Sequence, residues 1–190
     1  MPIWTKQFWN PMSTLLNLSR LIDVLNERIG KLSSWLILLA VVICTVNALI
    51  RYAFNLSSNA WLEMQWYLNS AMFLLVASYT LKLNAHVRID VIAGKLSPRA
   101  QAWIDVFGSL FMLLPAVLII AWYSLPSLAN SFQLHEMSSD SGGLLRWPVR
   151  LLIPVSFGLL ALQGVSELIK RAAFLQGVIA NPDAQKQGAH

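Results

Sequence analysis

The feature that most constrains this chain is a set of four long stretches without a charged side chain. They cover residues 32–50, 64–81, 106–134 and 151–166. A helix needs about 20 apolar residues to cross the hydrocarbon core of a bilayer. A soluble helix would need a polar stripe along one side, and these stretches have almost none. The chain is therefore predicted to be an all-α integral membrane protein with four transmembrane helices. The predicted spans are about 33–51, 62–82, 103–126 and 147–168.

The composition agrees with a membrane location. Charged residues make up only 12% of the chain, about half the fraction in an ordinary soluble domain. The single cysteine, Cys44, excludes an internal disulfide and a Cys-x-x-Cys redox or metal site. The first uncharged stretch is longer than the apolar core of a signal peptide, which has about 7–15 residues, so we predict that this helix is retained.

Basic residues outside the predicted spans alternate in number along the chain. The segment before the first span holds four, and the following segments hold one, four, two and three. Lys and Arg are enriched in short cytoplasmic loops, so both termini and the loop between the second and third spans are predicted to be cytoplasmic. The net charge of +5 follows from this bias and indicates contact with anionic membrane lipids rather than with nucleic acid.

Apolar residues recur at steps of three and four ahead of the first span. They are Leu15, Leu18, Ile22, Leu25, Ile29 and Leu32. Charged residues occupy other positions, which is the pattern of an amphipathic helix. Two placements stay open: an interfacial helix on the inner leaflet, or an arm that packs against a partner subunit. The chain is thus divided into an N-terminal segment (1–32), a transmembrane domain (33–170) and a polar cytoplasmic tail (171–190).

The third span has a clear start and an internal proline. Ser97 is suited to cap a helix and Pro98 to occupy its first turn, so a helix is predicted from Pro98 to about Leu125. Pro115 lies inside this helix and is expected to kink it.

The sequence contains no pattern of an enzyme or of a cofactor site. His86, His135 and His190 all fall outside the predicted spans, so no span offers an axial histidine ligand for haem. There is no Gly-rich phosphate loop, no cluster of metal ligands and no nucleophile with a neighbouring base. We therefore predict no catalytic activity, no cofactor and no metal.

Glu63 is the acidic residue closest to the interior of a predicted span. A carboxylate in the first turns of a helix is favoured by the helix dipole. The alternatives are an ion pair with Arg51 or with another subunit. A proton-coupled transporter would need such a carboxylate within the bundle, where a charge is costly and usually functional.

Four amide side chains lie inside the predicted spans. They are Asn47, Gln65, Asn69 and Gln163. Such groups commonly form hydrogen bonds between membrane helices, each worth about 0.6 kcal/mol. A substrate site would need more polar groups, converging near the midplane and usually with broken helices. We therefore predict that these amides hold helices together.

Several strings of the sequence resemble the small membrane subunit, the DctQ-like Q-type subunit, of tripartite ATP-independent periplasmic (TRAP) transporters. They are RYAF at 51–54, WLE at 61–63, HVRID at 86–90, SS at 138–139 and LRWP at 145–148, followed by LQ at 162–163. The resemblance covers about residues 35–170, and it agrees with four helices and two cytoplasmic ends.

The resemblance implies a small permease subunit of the bacterial inner membrane. Its partners would be a large multi-span subunit, which imports an organic acid with a coupling ion (usually sodium), and a periplasmic solute-binding protein. The candidates for subunit contacts or structural roles are Arg51, Trp61, Glu63, Trp66, His86, Arg88, Asp90, Trp147 and Gln163. The alternative is a self-sufficient four-helix transporter that acts as a homo-oligomer, with Glu63 as its titratable group.

Overall fold

The computed structural model describes residues 11–56, 58–83 and 96–180. The helices are α1 (Pro11–Phe54), α2 (Asn59–Leu83), α3 (Pro98–Gly108), α4 (Leu114–Gln133) and α5 (Trp147–Leu175), with a π-helical segment (Ser109–Leu113) between α3 and α4. The predicted all-helical fold is confirmed over these ranges. The inner-loop candidates His86, Arg88 and Asp90 lie outside them.

Three helical stretches are long and apolar enough to cross a membrane. They are Met12–Phe54, Pro98–Gln133 and Trp147–Leu175. α2 has 25 residues, a length of about 37 Å, but it is less apolar because it carries Gln65 and Asn69. Of the four predicted spans, three thus coincide with strongly apolar helices in the described part of the chain.

The predicted amphipathic segment is helical, but it is not a separate element. It is the first part of α1, a continuous helix of 44 residues whose length of about 66 Å exceeds the roughly 30 Å of a hydrocarbon core. The uncharged part, 32–50, is long enough to cross the membrane, and residues 11–31 extend beyond it. Gly30 lies at a close approach to α2, where an added Cβ would be 2.5 Å from the Tyr79 Cβ.

The buried face of α1 follows a seven-residue repeat of small and polar side chains. Its members, each at most 7% exposed, are Ser19, Asn26, Ser33, Ala40 and Asn47. A spacing of seven is typical of helices that pack along their length, and small residues let membrane helices approach closely. Leu15, Leu18 and Leu25 of the predicted apolar face are more than 40% exposed, so much of that face remains available to lipid or to a partner.

α5 is central to the packing. α1 and α2 form an antiparallel pair, α5 packs against both, and the third long helix, Pro98–Gln133, packs on α5. We call the end with residues 55–58 and 134–146 the loop end. The opposite end, with residues 11–31 and 169–175, is the terminal end.

The start of the third long helix agrees with the sequence, and its length exceeds the prediction. Ser97 caps α3 by accepting a hydrogen bond from the Ala100 N–H at 3.3 Å. Pro115 does not end the helix, which continues to Gln133. A proline ring crowds the preceding turn of an α-helix, and the wider π-helical turn immediately before α4 is where this helix departs from α geometry.

α5 continues beyond the predicted fourth span. It ends at Leu175 and is closed by Gly177, whose φ of +75° is left-handed and whose N–H donates to the Phe174 carbonyl at 2.9 Å. Arg171 and Ala173, which the sequence placed in the polar tail, are buried in the described structure.

Candidate functional site

Glu63 is the centre of a polar cluster at the loop end. One carboxylate oxygen accepts a hydrogen bond from the Leu144 N–H at 2.6 Å, and the other accepts from the Ser138 hydroxyl. The Arg146 guanidinium donates to the same hydroxyl at 3.3 Å. Only 4% of Glu63 is exposed. We call Glu63, Ser138, Leu144 and Arg146 the loop-end cluster.

Further contacts hold the loop 134–146 against α2. The Tyr67 hydroxyl donates to the Leu145 carbonyl at 3.0 Å, and the Asn59 amide donates to the Ser141 carbonyl at 3.0 Å. Gly143 allows a close approach, because an added Cβ would be 2.9 Å from both Glu63 oxygens. The loop is therefore anchored to the first three turns of α2.

Glu63 does not form the ion pair with Arg51 that was one of its predicted alternatives. Arg51 belongs to none of the ion pairs in the described part of the chain, so the proposed Glu63–Arg51 pair is not formed. The carboxylate instead binds a loop that follows it by 75 to 81 residues. No local sequence signal marks that contact, since loop residues of this type are common and their partner is distant.

Replacing Glu63 with alanine is expected to release the loop. Leu144 and Ser138 would lose their carboxylate acceptor, so proteolytic cleavage within residues 134–146 should become several-fold faster. Limited proteolysis in mild detergent, followed by mass spectrometry, measures the rate. Glu136→Ala is the control, because Glu136 forms a more exposed ion pair with Arg150 and should have a smaller effect. Equal cleavage rates in both variants would contradict the anchoring role of Glu63.

A second cluster joins α1 to α5 at the terminal end. Asp23 accepts hydrogen bonds from Gln163 at 2.9 Å, Ser166 at 2.8 Å and Lys170 at 3.0 Å. The Asn26 amide donates to the Gln163 carbonyl oxygen at 2.7 Å. The terminal-end cluster is completed by the hydroxyls of Ser19 and Ser166, which are 2.7 Å apart. Gln163 thus forms interhelical hydrogen bonds of the kind that its position in the fourth span suggested.

Asp23 is held in its charged form. Burial raises the pKa of this carboxyl, but the charge of Lys170 and three side-chain hydrogen bonds from α5 outweigh that effect and place the pKa below its ordinary value of 3.8. Asp23 and Lys170 are at most 18% exposed, so the pair is largely shielded from water. Removing only one partner of such a pair strongly destabilises the folded protein, because the other charge is left buried and uncompensated.

Two further ion pairs extend the contacts at the terminal end to the other helices. Lys82 of α2 contacts Glu27 of α1 at 2.6 Å. Arg171 of α5 contacts Asp105 of α3 at 3.0 Å, and the Arg171 side chain is only 4% exposed. Each of these helices therefore has a charged contact to a neighbour at the same end of the bundle.

The lowered pKa of Glu27 makes the stability of the terminal end depend on pH. Hydrogen bonds from Lys31 and Lys82 lower the pKa of Glu27 from 4.5 to about 2. A pKa that is depressed by folding stabilises the protein above the unfolded value, and that contribution is lost as the pH falls toward about 2. The melting temperature of the wild type in a non-ionic detergent should exceed that of Glu27→Gln at neutral pH, and the difference should shrink between pH 4.5 and 2. A difference that is constant over this range would be the contrary result.

The remaining candidates lie near the loop end. Trp61 and Trp66 are 43% and 40% exposed, as expected of side chains that face lipid or a partner. Trp147 begins α5 and packs edge-on against Phe132, with ring centroids 5.6 Å apart. Arg51 is exposed and lines a cavity between α1 and α2. Their roles in subunit contacts stay predictions.

The burial pattern is the reverse of that in a soluble protein. Of the six largest fully buried side chains among the described residues, four join α1 to α5 through polar contacts: Ser19, Asn26, Gln163 and Ser166. Large apolar side chains of the long helices face outward. Among the described residues, no group of three or more His, Cys, Asp or Glu side chains is placed to hold a metal ion. A bundle with polar contacts inside and an apolar exterior defines a multi-pass helical membrane protein.

The family model described as tripartite ATP-independent periplasmic transporters, DctQ component, matches residues 17–174. The chain belongs to this family, which confirms the resemblance found in the sequence. It is a component of a transporter of the inner membrane, and the family is not an enzyme family. No curated protein and no solved structure matches the chain.

Proposed function

We propose that this chain is the small permease subunit of a TRAP transporter and acts as a scaffold for the large transport subunit. It crosses the membrane four times, with α2 as the fourth span, and both termini are cytoplasmic. The large subunit carries an organic acid together with a coupling ion, most simply sodium. The small subunit contributes no substrate-binding groups of its own.

This proposal is supported by the hydrogen-bond partners of the buried polar side chains. In the terminal-end cluster they are committed to contacts between α1 and α5. Glu63, which a self-sufficient transporter would need as a titratable group in the bundle, is bound to the loop instead. A rigid bundle with an apolar exterior is suited to support another membrane protein.

Co-purification tests the scaffold. The chain carries a C-terminal tag, native membranes are extracted in mild detergent, and the companions are identified by mass spectrometry. We expect a larger multi-span membrane protein in a fixed ratio. A homo-oligomer without such a companion would overturn the scaffold proposal and favour the self-sufficient transporter, in which Glu63→Gln should abolish ion-coupled flux.

The loop 134–146 is our candidate for docking of the periplasmic binding protein. Several contacts fix its backbone, including an antiparallel bridge between Met137 and Leu145. Leu134 and Met137 are 78% and 61% exposed at its surface. An ordered loop that presents apolar side chains binds a partner without a large loss of conformational entropy.

Substituting Met137 with aspartate tests this docking surface. We expect a lower rate of uptake from limiting binding protein, with an unchanged yield of the membrane complex, because the side chain is exposed and stabilises no helix contact. The measurement is transport into proteoliposomes as a function of binding-protein concentration. Leu56→Asp is the control, because Leu56 is a 65% exposed apolar side chain near the same end but outside the loop. Wild-type dependence on binding protein in Met137→Asp would count against docking at this loop.

A further inference from the structure

A cavity of about 570 Å³ lies between the loop ends of α1 and α2. Its polar residues do not take part in either cluster described above. Asn47 lines it, is only 7% exposed, and has no side-chain hydrogen bond to any residue that the structure describes. A largely buried polar side chain without a hydrogen bond is costly, so Asn47 at this cavity points to a missing ligand.

Asn47 contrasts with its counterpart at the other end of the same repeat. Asn26 occupies the equivalent position of the seven-residue repeat in α1 and is bonded to Gln163 of α5. Asn47 lies three repeats further along the same face, yet it opens onto the cavity. The buried face of α1 is therefore covered by α5 at the terminal end and faces the cavity at the loop end.

The cavity also carries a cation. Arg51 lies at its rim, and no carboxylate of the described residues pairs with it. No acidic residue lines the cavity. The guanidinium and the Asn47 amide nitrogen together supply several hydrogen-bond donors, which fits an oxyanion such as a phosphate group.

The walls of the cavity are apolar on one side of this polar rim. Cys44 and Ala48 lie two turns and one turn before Arg51 on α1, and Leu62 closes the cavity from α2. Arg51 is also the first charged residue after the uncharged stretch 32–50, so it marks the level at which hydrocarbon gives way to headgroups. A polar rim at that level above an apolar wall matches the two halves of a lipid.

We propose that this cavity binds a phospholipid, with its phosphate held by Arg51 and the amide of Asn47. The acyl chain extends along Cys44 and Ala48 toward the membrane interior. The bound lipid would cover the buried face of α1 near Asn47 and stabilise the loop end of the α1–α2 pair. An Arg guanidinium binds phosphate oxygens through charge-assisted hydrogen bonds, which are stronger than those between neutral groups.

Native mass spectrometry of the full chain in mild detergent tests the proposal. The wild type is expected to retain one phospholipid, and Arg51→Met is expected to lower its occupancy roughly tenfold. Asn47→Leu should also lower it, because it removes the amide that faces the cavity. Arg28→Met is the matched control, since Arg28 is an exposed arginine of α1 outside the cavity and should leave occupancy unchanged.

Added ligands separate the possible occupants. Phosphatidylglycerol should raise the melting temperature of delipidated wild type but not of Arg51→Met. Diacylglycerol with the same acyl chains and inorganic phosphate should each have no such effect, because each supplies only half of the ligand. Equal lipid occupancy in wild type and Arg51→Met would overturn the proposal. Stabilisation by inorganic phosphate alone would do the same, as would loss of a co-purifying protein from Arg51→Met with lipid retained.

Discussion

Replacing Lys170 with methionine is expected to lower the free energy of unfolding by about 3 kcal/mol, the lower end of the range for breaking a buried ion pair. Asp23 would keep two hydrogen bonds from α5 but would lose its cation in a site that is 18% exposed. α1 and α5 would then separate more readily at the terminal end. Titration of the detergent-solubilised protein with SDS measures the change.

A second substitution distinguishes loss of charge balance from loss of packing. Lys170 contacts two carboxylates, Asp23 at 3.0 Å and Glu167 at 2.6 Å. Asp23→Asn in the Lys170→Met background removes one of them, so it should recover part of the lost stability. Lys31→Met is the matched control, because Lys31 forms an ion pair with Glu27 at 2.5 Å but is 64% exposed. Exposed pairs of this kind contribute little. If Lys31→Met and Lys170→Met destabilise the protein equally, the burial argument is wrong.

Replacing Gly30 with alanine is expected to cost about 2 kcal/mol, which is typical of forcing an extra methyl group into a packed interior. The new Cβ would lie 2.5 Å from the Tyr79 Cβ and 2.7 Å from its Cγ. These atoms are close to the α2 backbone and cannot rotate away, so α1 and α2 would have to move apart. The same SDS titration measures the loss.

Two other glycines of the bundle provide an internal scale for this substitution. Gly158→Ala introduces a Cβ with no atom within 4 Å, and it should raise stability by up to about 1 kcal/mol because alanine favours the helix. Gly164→Ala meets the end of the Leu113 side chain at 2.7 Å, which can shift, so its effect should fall between the others. A loss in Gly158→Ala as large as that in Gly30→Ala would show that close packing does not govern these positions, because the Cβ added at Gly158 meets no neighbouring atom.

The proposed lipid site and the terminal-end cluster lie at opposite ends of α1. Arg51→Met is expected to change lipid occupancy and leave the terminal-end cluster intact, whereas Lys170→Met is expected to do the opposite. Measuring lipid occupancy and co-purification in both variants therefore shows which end of α1 supports the large subunit.

The sequence by itself determined the helices and the family. Uncharged stretches long enough for a bilayer predicted the helical elements, and Ser97 with Pro98 predicted the start of α3, because these signals are local. The strings around Arg51, Glu63 and Leu145 indicated the DctQ family directly. Three of the four predicted spans correspond to strongly apolar helices, and the ends of the third and fourth extend past the prediction.

Only the tertiary structure decided what the polar residues contact. The partners of Glu63 lie 75 and 81 residues away, and those of Asp23 lie 140 or more away, so no local pattern could identify them. Apolar periodicity was also a poor guide to the packed face of α1. In a bilayer, apolar side chains gain little by turning inward because the surrounding lipid is equally apolar. The packed face is therefore chosen by small side chains and hydrogen-bonding groups, whose partners appear only when the helices come together.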